Sequence, residues 1–549
     1  MAARDRLIES DAVRRLRDRD ASLFSADLDQ RIPIMQRLGW TDLAAKATNR
    51  IPLLIALAES IATEGATDIL LLGMGGSSLA PLVMTRIIGP VPGNPCLHVL
   101  DTTSPVQTTE LLDTLDPQTT YVVVASKSGT TIEPLSLYAV VRAWFEHSGM
   151  EKPAIGRRII VITDAGSPLE KLRQRDMLRT VLTAPATVGG RYSALSLFGL
   201  APAALAGVHL QSLVPRAQAM EAACGTPVDE NPAALLAAWM ADAWDAGRDK
   251  LTFVTSERYA SFGLWAEQLV AESLGKDGIG IVPVLEPEPA DPDAYGSDRA
   301  FVVLRFGDDT ELSDWSRTTA AVHPVFELTV TDIFDIGAEF VRWEHAVALT
   351  SVLLGVNPFD EPSVTEAKQA TSTILDGGAS EVPTAAADLS GTWVTCAGEL
   401  ACPSPSSRLA TLRRALAALQ PADYLALLVY APDDPERLQP LQEACAAVSH
   451  ATGHAVCLEI GPRYLHSTGQ LHKGGPNTGV FILITARDRT DVPIPGKPFG
   501  LAALHRAQAE GDLMTLAHHG RRVLRLDLPS TSPAALAALA DEFTAAARH

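Results

Sequence analysis

The sequence predicts an α/β protein with two doubly wound parallel-sheet domains followed by a C-terminal α/β unit. Three observations carry that expectation. The chain has 549 residues, several times the roughly 150 of a common domain, which excludes one small module. Short apolar runs rich in Val, Ile and Leu alternate with stretches of helical periodicity, the rhythm of βαβ crossovers whose strands are buried on both faces. The rhythm falls into separate sets, with a change of composition before the last of them.

Residues 1–50 carry Leu7, Ile8, Val13, Leu16 and Leu23 at roughly helical spacing among Arg and Asp, which predicts a helical segment wrapping the body. Over 51–200 the runs DILLLG (68–73), CLHVLD (96–101), TYVVVA (120–125) and RIIVITD (158–164) read as strands of a first sheet. Over 201–375 the runs KLTFVTS (250–256), GIGIVPV (278–284) and AFVVLRF (300–306) read as a second. Residues 376–407 shift to Gly, Ala, Pro, Ser and Thr, the composition of a linker or insertion. Over 408–549, DYLALLVYAP, HAVCLEI, GVFILIT and RRVLRLDL predict strands, with helices near 408–419, 434–451 and 499–517.

Hydrophobic residues at 47% and charged residues at 20% exclude a disordered or fibrous chain. With 45 Lys and Arg against 65 Asp and Glu, the net charge of −20 repels nucleic acid and anionic membrane surfaces. An anionic small substrate then needs a site with its own local positive potential. The six cysteines (Cys96, Cys224, Cys396, Cys402, Cys445, Cys457) show no CxxC or Cys/His cluster, which fits a reducing, cytoplasmic setting and no metal. The charged N-terminus lacks the apolar stretch of a secretory signal, and the apolar run from Ala194, broken by Pro202, His209 and Gln211, reads as a buried helix.

Two strand-to-helix turns carry chemistry. In GMGGSSLAP (73–81) the glycines allow a tight turn, and Gly76, Ser77 and Ser78 stand where a helix N-terminus offers free N–H groups to an anion. It is neither the GxGxxG fingerprint nor a P-loop, and alone it is equally a serine-capped turn. In ASKSGTTIEP (125–134), Ser126, Lys127, Ser128, Thr130 and Thr131 crowd around Gly129 at a second helix start, enough donors for three phosphate oxygens. An ordinary polar loop has the same composition, but two such turns at neighbouring strand ends favour a phosphate site.

These two motifs, with GGRYSALSLFGL (189–200), EQLVAESLGK (267–276) and GVNPFDEPSVTEAK (355–368), resemble the glucose-6-phosphate isomerase family in order and spacing. The stretch GPRYLHSTGQLHKGGPNTG (461–479) is most similar to the isomerase half of bacterial transaldolase/glucose-6-phosphate isomerase fusions, here without the transaldolase part. The resemblance implies two sugar-isomerase (SIS) domains and a cofactor-free aldose–ketose isomerisation of glucose 6-phosphate and fructose 6-phosphate through a cis-enediol. Its substrate partner is a sugar phosphate. A homo-oligomer and a functional link to a separate transaldolase are compatible with it and not fixed by it.

Aldose–ketose isomerisation needs a base to move a proton between C2 and C1, a cation at the enediolate and an acid/base for ring opening. Gln268 and Glu272 share a helix face while Glu267 lies about 140° away, and in the family's motif Glu272 matches the proton-transferring glutamate and Gln268 a site glutamine. Arg191 matches the arginine facing the enediolate and Lys368 the lysine handling the ring oxygen and C1–C2 hydroxyls. A helix after Pro362, with Ser363 and Glu366 at capping-box spacing, would orient that lysine. The family's ring-opening histidine follows the catalytic glutamate by some thirty residues, and DAYGSDRAFVVLRF contains none. His323 is the nearest downstream, and the loop 461–479 offers His466 and His472, of which His472 is taken first. Acceptance of mannose 6-phosphate, or a sugar-phosphate sensor without turnover, are the competing readings; a sensor has no need of Glu272, Arg191 and Lys368 together.

Overall fold

The computed structural model describes residues 2–377, 387–389, 391–400, 406–487 and 490–548. The first sheet contains β1 (Asp68–Leu72), β2 (Cys96–Leu100), β3 (Thr120–Ala125), β4 (Ile159–Asp164) and β5 (Thr180–Ala184), all parallel in the order β2-β1-β3-β4-β5. Helix α1 (Leu79–Ile88) leaves β1 and helix α2 (Ile132–His147) leaves β3. The chain winds one way from β1 to β2 and the other way from β3 onward, so the switch point, where open α/β sheets gather ligands, lies between the carboxyl ends of β1 and β3. Both serine-rich turns emerge there.

The second sheet has β6 (Lys250–Thr255), β7 (Val282–Leu285), β8 (Arg299–Phe306) and β9 (Val325–Val330), parallel in the order β7-β6-β8-β9. Helix α3 (Phe262–Leu274) follows β6, and helix α4 (Pro362–Leu375) follows the second sheet. A large common core joins the two sheets, with Ile69 and Leu71 in one cluster with Phe253, Trp265 and Trp343.

The third sheet has β10 (Ala387–Leu389), β11 (Thr392–Ala397), β12 (Tyr424–Val429), β13 (Ala455–Ile460), β14 (Gly479–Ala486) and β15 (Arg522–Leu528), in the order β10-β11-β15-β14-β12-β13. Its helices include α5 (Pro435–Thr452), α6 (Gly469–Gly474) and α7 (Leu501–His518). β12 to β15 are parallel, whereas β11 pairs antiparallel with β15. Residues expected in a linker therefore form the sheet's edge, with Trp393 opposite Asp527. Within 376–407, residues 378–386, 390 and 401–405, Cys402 among them, lie outside the described residues. Cys396 is disulfide-bonded, which the scattered cysteine spacing does not predict.

The third unit is built into the first two. Leu501 and Leu504 of α7 complete the apolar cover of the first sheet with Leu70, Leu72, Val122 and Val124. Both leucines are fully buried, a contribution of about 1.5–3 kcal/mol each. Ala271 of α3 packs in one cluster with Val282, Tyr424, Tyr464 and Phe481. The segment 461–475 is thereby held across α3 and α4. No helix among the described residues is long and apolar enough to cross a membrane.

Candidate active site

The first two turns meet a third. A Cβ on Gly76 would lie 2.0 Å from the Gly190 carbonyl oxygen, so only glycine permits that approach, and the Ser193 hydroxyl donates to the Gly76 carbonyl at 3.1 Å. Neither α1 nor α2 has a side-chain cap, although Ser78 and Thr131 occupy the N-cap positions. Their terminal N–H groups are left for an incoming anion.

The hydroxyls of the second turn are organised around that point. Ser126 is buried and donates to the Thr131 hydroxyl at 3.1 Å, while the exposed Ser128 accepts from the Thr130 hydroxyl at 2.9 Å. Gly129 has φ +69, a conformation that a side chain would strain. Ser77, buried in the first turn, faces the same switch point. Lys127 differs from the others: its Nζ bonds Asp164 at 2.8 Å and lies over Phe198. Burial pushes that ammonium's pKa below the usual lysine range, with Asp164 opposing the shift.

Glu272 projects from α3, buried at 7% exposure. Its Oε2 accepts from Gln268 Nε2 at 3.2 Å and lies 3.3 Å from Arg191 Nε. Burial raises its pKa, Arg191 opposes, and the net displacement is upward, towards the neutral range suited to a base. Arg191 is buried and braced: its guanidinium donates to the carbonyls of Glu272 at 2.6 Å and Pro358 at 3.1 Å and pairs with Glu361 at 2.5 Å. Lys276, the last residue of the EQLVAESLGK motif, bonds the Asp360 carbonyl at 2.7 Å and carboxylate at 2.8 Å, fixing the loop that leads into α4. Burial lowers its pKa to about 8.

The segment 461–475 closes the group. The His466 carbonyl accepts from Gln268 at 2.8 Å, and the His466 ring Nε2 lies 2.9 Å from Oε1 of Glu133. Glu133, in the first turn of α2, also accepts from Gln508 of α7 at 2.7 Å. Burial raises its carboxyl, but the His466 charge and hydrogen bond, aided by Lys368, outweigh that and hold it below the usual range. Lys368 is exposed on α4 on the side of this pair.

His472 is not brought here. It is 2% exposed on α6, its Nδ1 bonded to the Tyr424 hydroxyl at 2.9 Å and its ring among Tyr424, Tyr464 and Phe481. Burial holds its pKa well below the ordinary value, so it is a neutral interior residue. The preference for His472 over His466 is therefore reversed by packing. His323 is also interior, with Nε2 at the Pro292 carbonyl, 3.0 Å away, and its ring against Phe301. The expected capping box at the start of α4 is absent too. Glu361 is the N-cap, and Ser363, inside the helix, donates its backbone N–H to Gln470 at 3.0 Å.

Glu133 and Gln508 were missed by sequence reasoning. Glu133 had a signal, a carboxylate in the first turn of a helix whose start is rich in anion donors. Gln508, on a helix from the far end of the chain, had none. Among the described residues, no group of three or more His, Cys, Asp or Glu is arranged to hold a metal ion.

Two uncapped, hydroxyl-rich helix starts at the switch point lie beside a buried, arginine-paired glutamate, an arrangement that fits a phosphosugar isomerase. Residues 58–281 match the family model described as phosphoglucose isomerase. A glucose-6-phosphate isomerase of Rubrobacter xylanophilus is 35% identical over 248 residues, 42% of this chain and 55% of that protein, so this match spans about half of it. A probable glucose-6-phosphate isomerase of Haloarcula marismortui is 30% identical over 354 residues, 58% of this chain and 80% of that protein. Among solved structures, a hypothetical protein of Thermus thermophilus superposes with a TM-score of 0.60 at 25% identity, over 68% of this chain and 96% of that one. A glucose-6-phosphate isomerase from Chlamydia trachomatis, at 21% identity, shares the fold with a TM-score of 0.54, over 60% of this chain and 73% of that one. The chain belongs to the glucose-6-phosphate isomerase family.

Proposed function

We propose that this protein interconverts glucose 6-phosphate and fructose 6-phosphate through a cis-enediol. The observation that carries the reading is Glu272 Oε2 held 3.3 Å from the Arg191 guanidinium and 3.2 Å from Gln268, beside the turns at the switch point. The substrate phosphate lies on the uncapped starts of α1 and α2, with Ser77, Ser126, Ser128, Thr130 and Thr131 donating. Glu272 takes the proton from C2 and returns it at C1. Arg191, always charged, stabilises the enediolate without competing for that proton. His466, oriented by Glu133, exchanges the proton of the ring oxygen with Lys368 at its side. The chain thus supplies locally the positive potential its net charge of −20 denies globally.

The test is direct. Purified protein incubated with fructose 6-phosphate in excess EDTA should produce glucose 6-phosphate, because base, cation and phosphate cradle are all side-chain and backbone groups. No product, or product only after a divalent ion is restored, contradicts the reading.

A further inference from the structure

Helix α3 has a second face, and it walls a cavity. A space of about 470 Å³ opens at the carboxyl ends of β6, β7 and β13, closed by α3 and α5, a size and position typical of small-molecule sites in α/β proteins. Leu264, Leu285, Leu438 and Leu458 give it an apolar lining. Two polar groups inside it can still bond a ligand. Glu286, 5% exposed, accepts no hydrogen bond among the described residues; its carboxylate lies 3.8 Å from His450 Nε2 and in the field of the buried Arg299. The buried Ser261 hydroxyl is likewise unbonded. An orphaned buried hydroxyl is costly, so a ligand group at Ser261 would relieve it, and Glu286 offers an acceptor in the same cavity.

The mouth carries charge of the other sign. Arg86 and Arg258 line it, both exposed, and neither forms an ion pair with a carboxylate among the described residues; Arg258 donates only to the Ile88 carbonyl, at 2.8 Å. Arg463 also lines the cavity but is neutralised by Asp101 and Asp433. Glu257 is the exposed acid among the lining residues. Two exposed guanidinium groups at one mouth, neither of them in an ion pair although Arg86 lies in the field of Asp433, are suited to a phosphate monoester.

We propose that this cavity is a second binding site, separate from the Glu272 cleft, for a small phosphorylated polyhydroxy compound. Its phosphate lies on Arg86 and Arg258, and its hydroxyls bond Glu286 and Ser261. The site backs onto the helix that bears Glu272 and onto Arg463, whose segment carries His466.

The experiment is calorimetric titration of the full chain with sorbitol 6-phosphate, a polyol phosphate that cannot be isomerised. The wild type should show two binding events. Arg86→Ala with Arg258→Ala should lose one of them, with affinity at least tenfold weaker, and leave turnover of fructose 6-phosphate intact. Leu264→Phe, which fills the cavity without touching a charge, should lose the same event. Ser126→Ala with Thr131→Ala should lose the other, so failure of the catalytic assignment is read separately. An isotherm unchanged by both the arginine pair and Leu264→Phe overturns the proposal.

Discussion

The two faces of α3 place two glutamates in opposite chemistry. On one, Glu272 meets Arg191 and Gln268 and is a buried base with a cation beside it. On the other, Glu267 meets Glu459 of β13, and burial followed by the Glu459 charge pushes its carboxyl well above the usual range. Glu267 and Glu459 thus form a carboxyl pair at the seam between the second and third units. Residue type is the same and the spacing is a turn and a half of helix. What differs is the partner each face is given, a guanidinium or a second carboxylate.

The segment 461–475 repeats the lesson. His466 reaches Glu133 at the cleft, whereas His472 turns into the aromatic interior of the third unit. Sequence spacing makes both available, and only packing separates them.

The contrast can be broken from the cation's side at Arg191. Arg191→Met leaves Glu272 without its cation, and turnover should fall by on the order of 10²–10³. Because that cation lowers the Glu272 pKa, its loss should also shift the acidic limb of the kcat/KM profile to higher pH. A profile that stays in place would show that the pair does not act together. His466→Asn should cost about 10² in turnover of the cyclic substrate. His472→Ala should keep most activity but leave a cavity beside Phe481, lowering stability by about 2–5 kcal/mol in a denaturant titration. The reverse pattern would restore His472 to the site.

At the phosphate turns, Ser126→Ala and Thr131→Ala each remove a charge-assisted bond of about 1.5–3 kcal/mol, so KM should rise roughly tenfold or more. Unchanged KM would place the anion elsewhere. The smallest effect belongs to the other face of α3. Burial raises the Glu459 carboxyl to about 7. A raised pKa means that the folded state binds more protons between the ordinary carboxylate value and 7, so stability is full at acid pH and declines through that window. The melting temperature should therefore fall from pH 5 to 7.5, and fall less in Glu459→Gln. Equal slopes would dissolve the carboxyl pair.

Much of this was legible in the sequence, and the reasons for the rest are physical. The continuous apolar runs at 68–73, 120–125 and 424–429 are strands because parallel strands are buried on both faces. β5, TVLTA, and β9, VFELTV, are edge strands interrupted by polar residues, and carried no comparable signal. β11 lay in a stretch whose composition suggested a linker, and pairing with β15 overrode it. Gln268 and Glu272 share a face by helical geometry alone, but the Arg191 pairing, the Glu133–His466 contact and the Gln508 bond join residues far apart in the chain, which no local pattern records.

The most direct measurement is kcat for fructose 6-phosphate in Glu272→Gln set beside Glu267→Gln. Both keep volume and hydrogen bonding, and each removes one carboxylate from one face of the same helix. The account predicts a loss on the order of 10²–10⁴ for Glu272→Gln, with little change for Glu267→Gln. Near wild-type turnover in Glu272→Gln, or an equal loss in both, would contradict it.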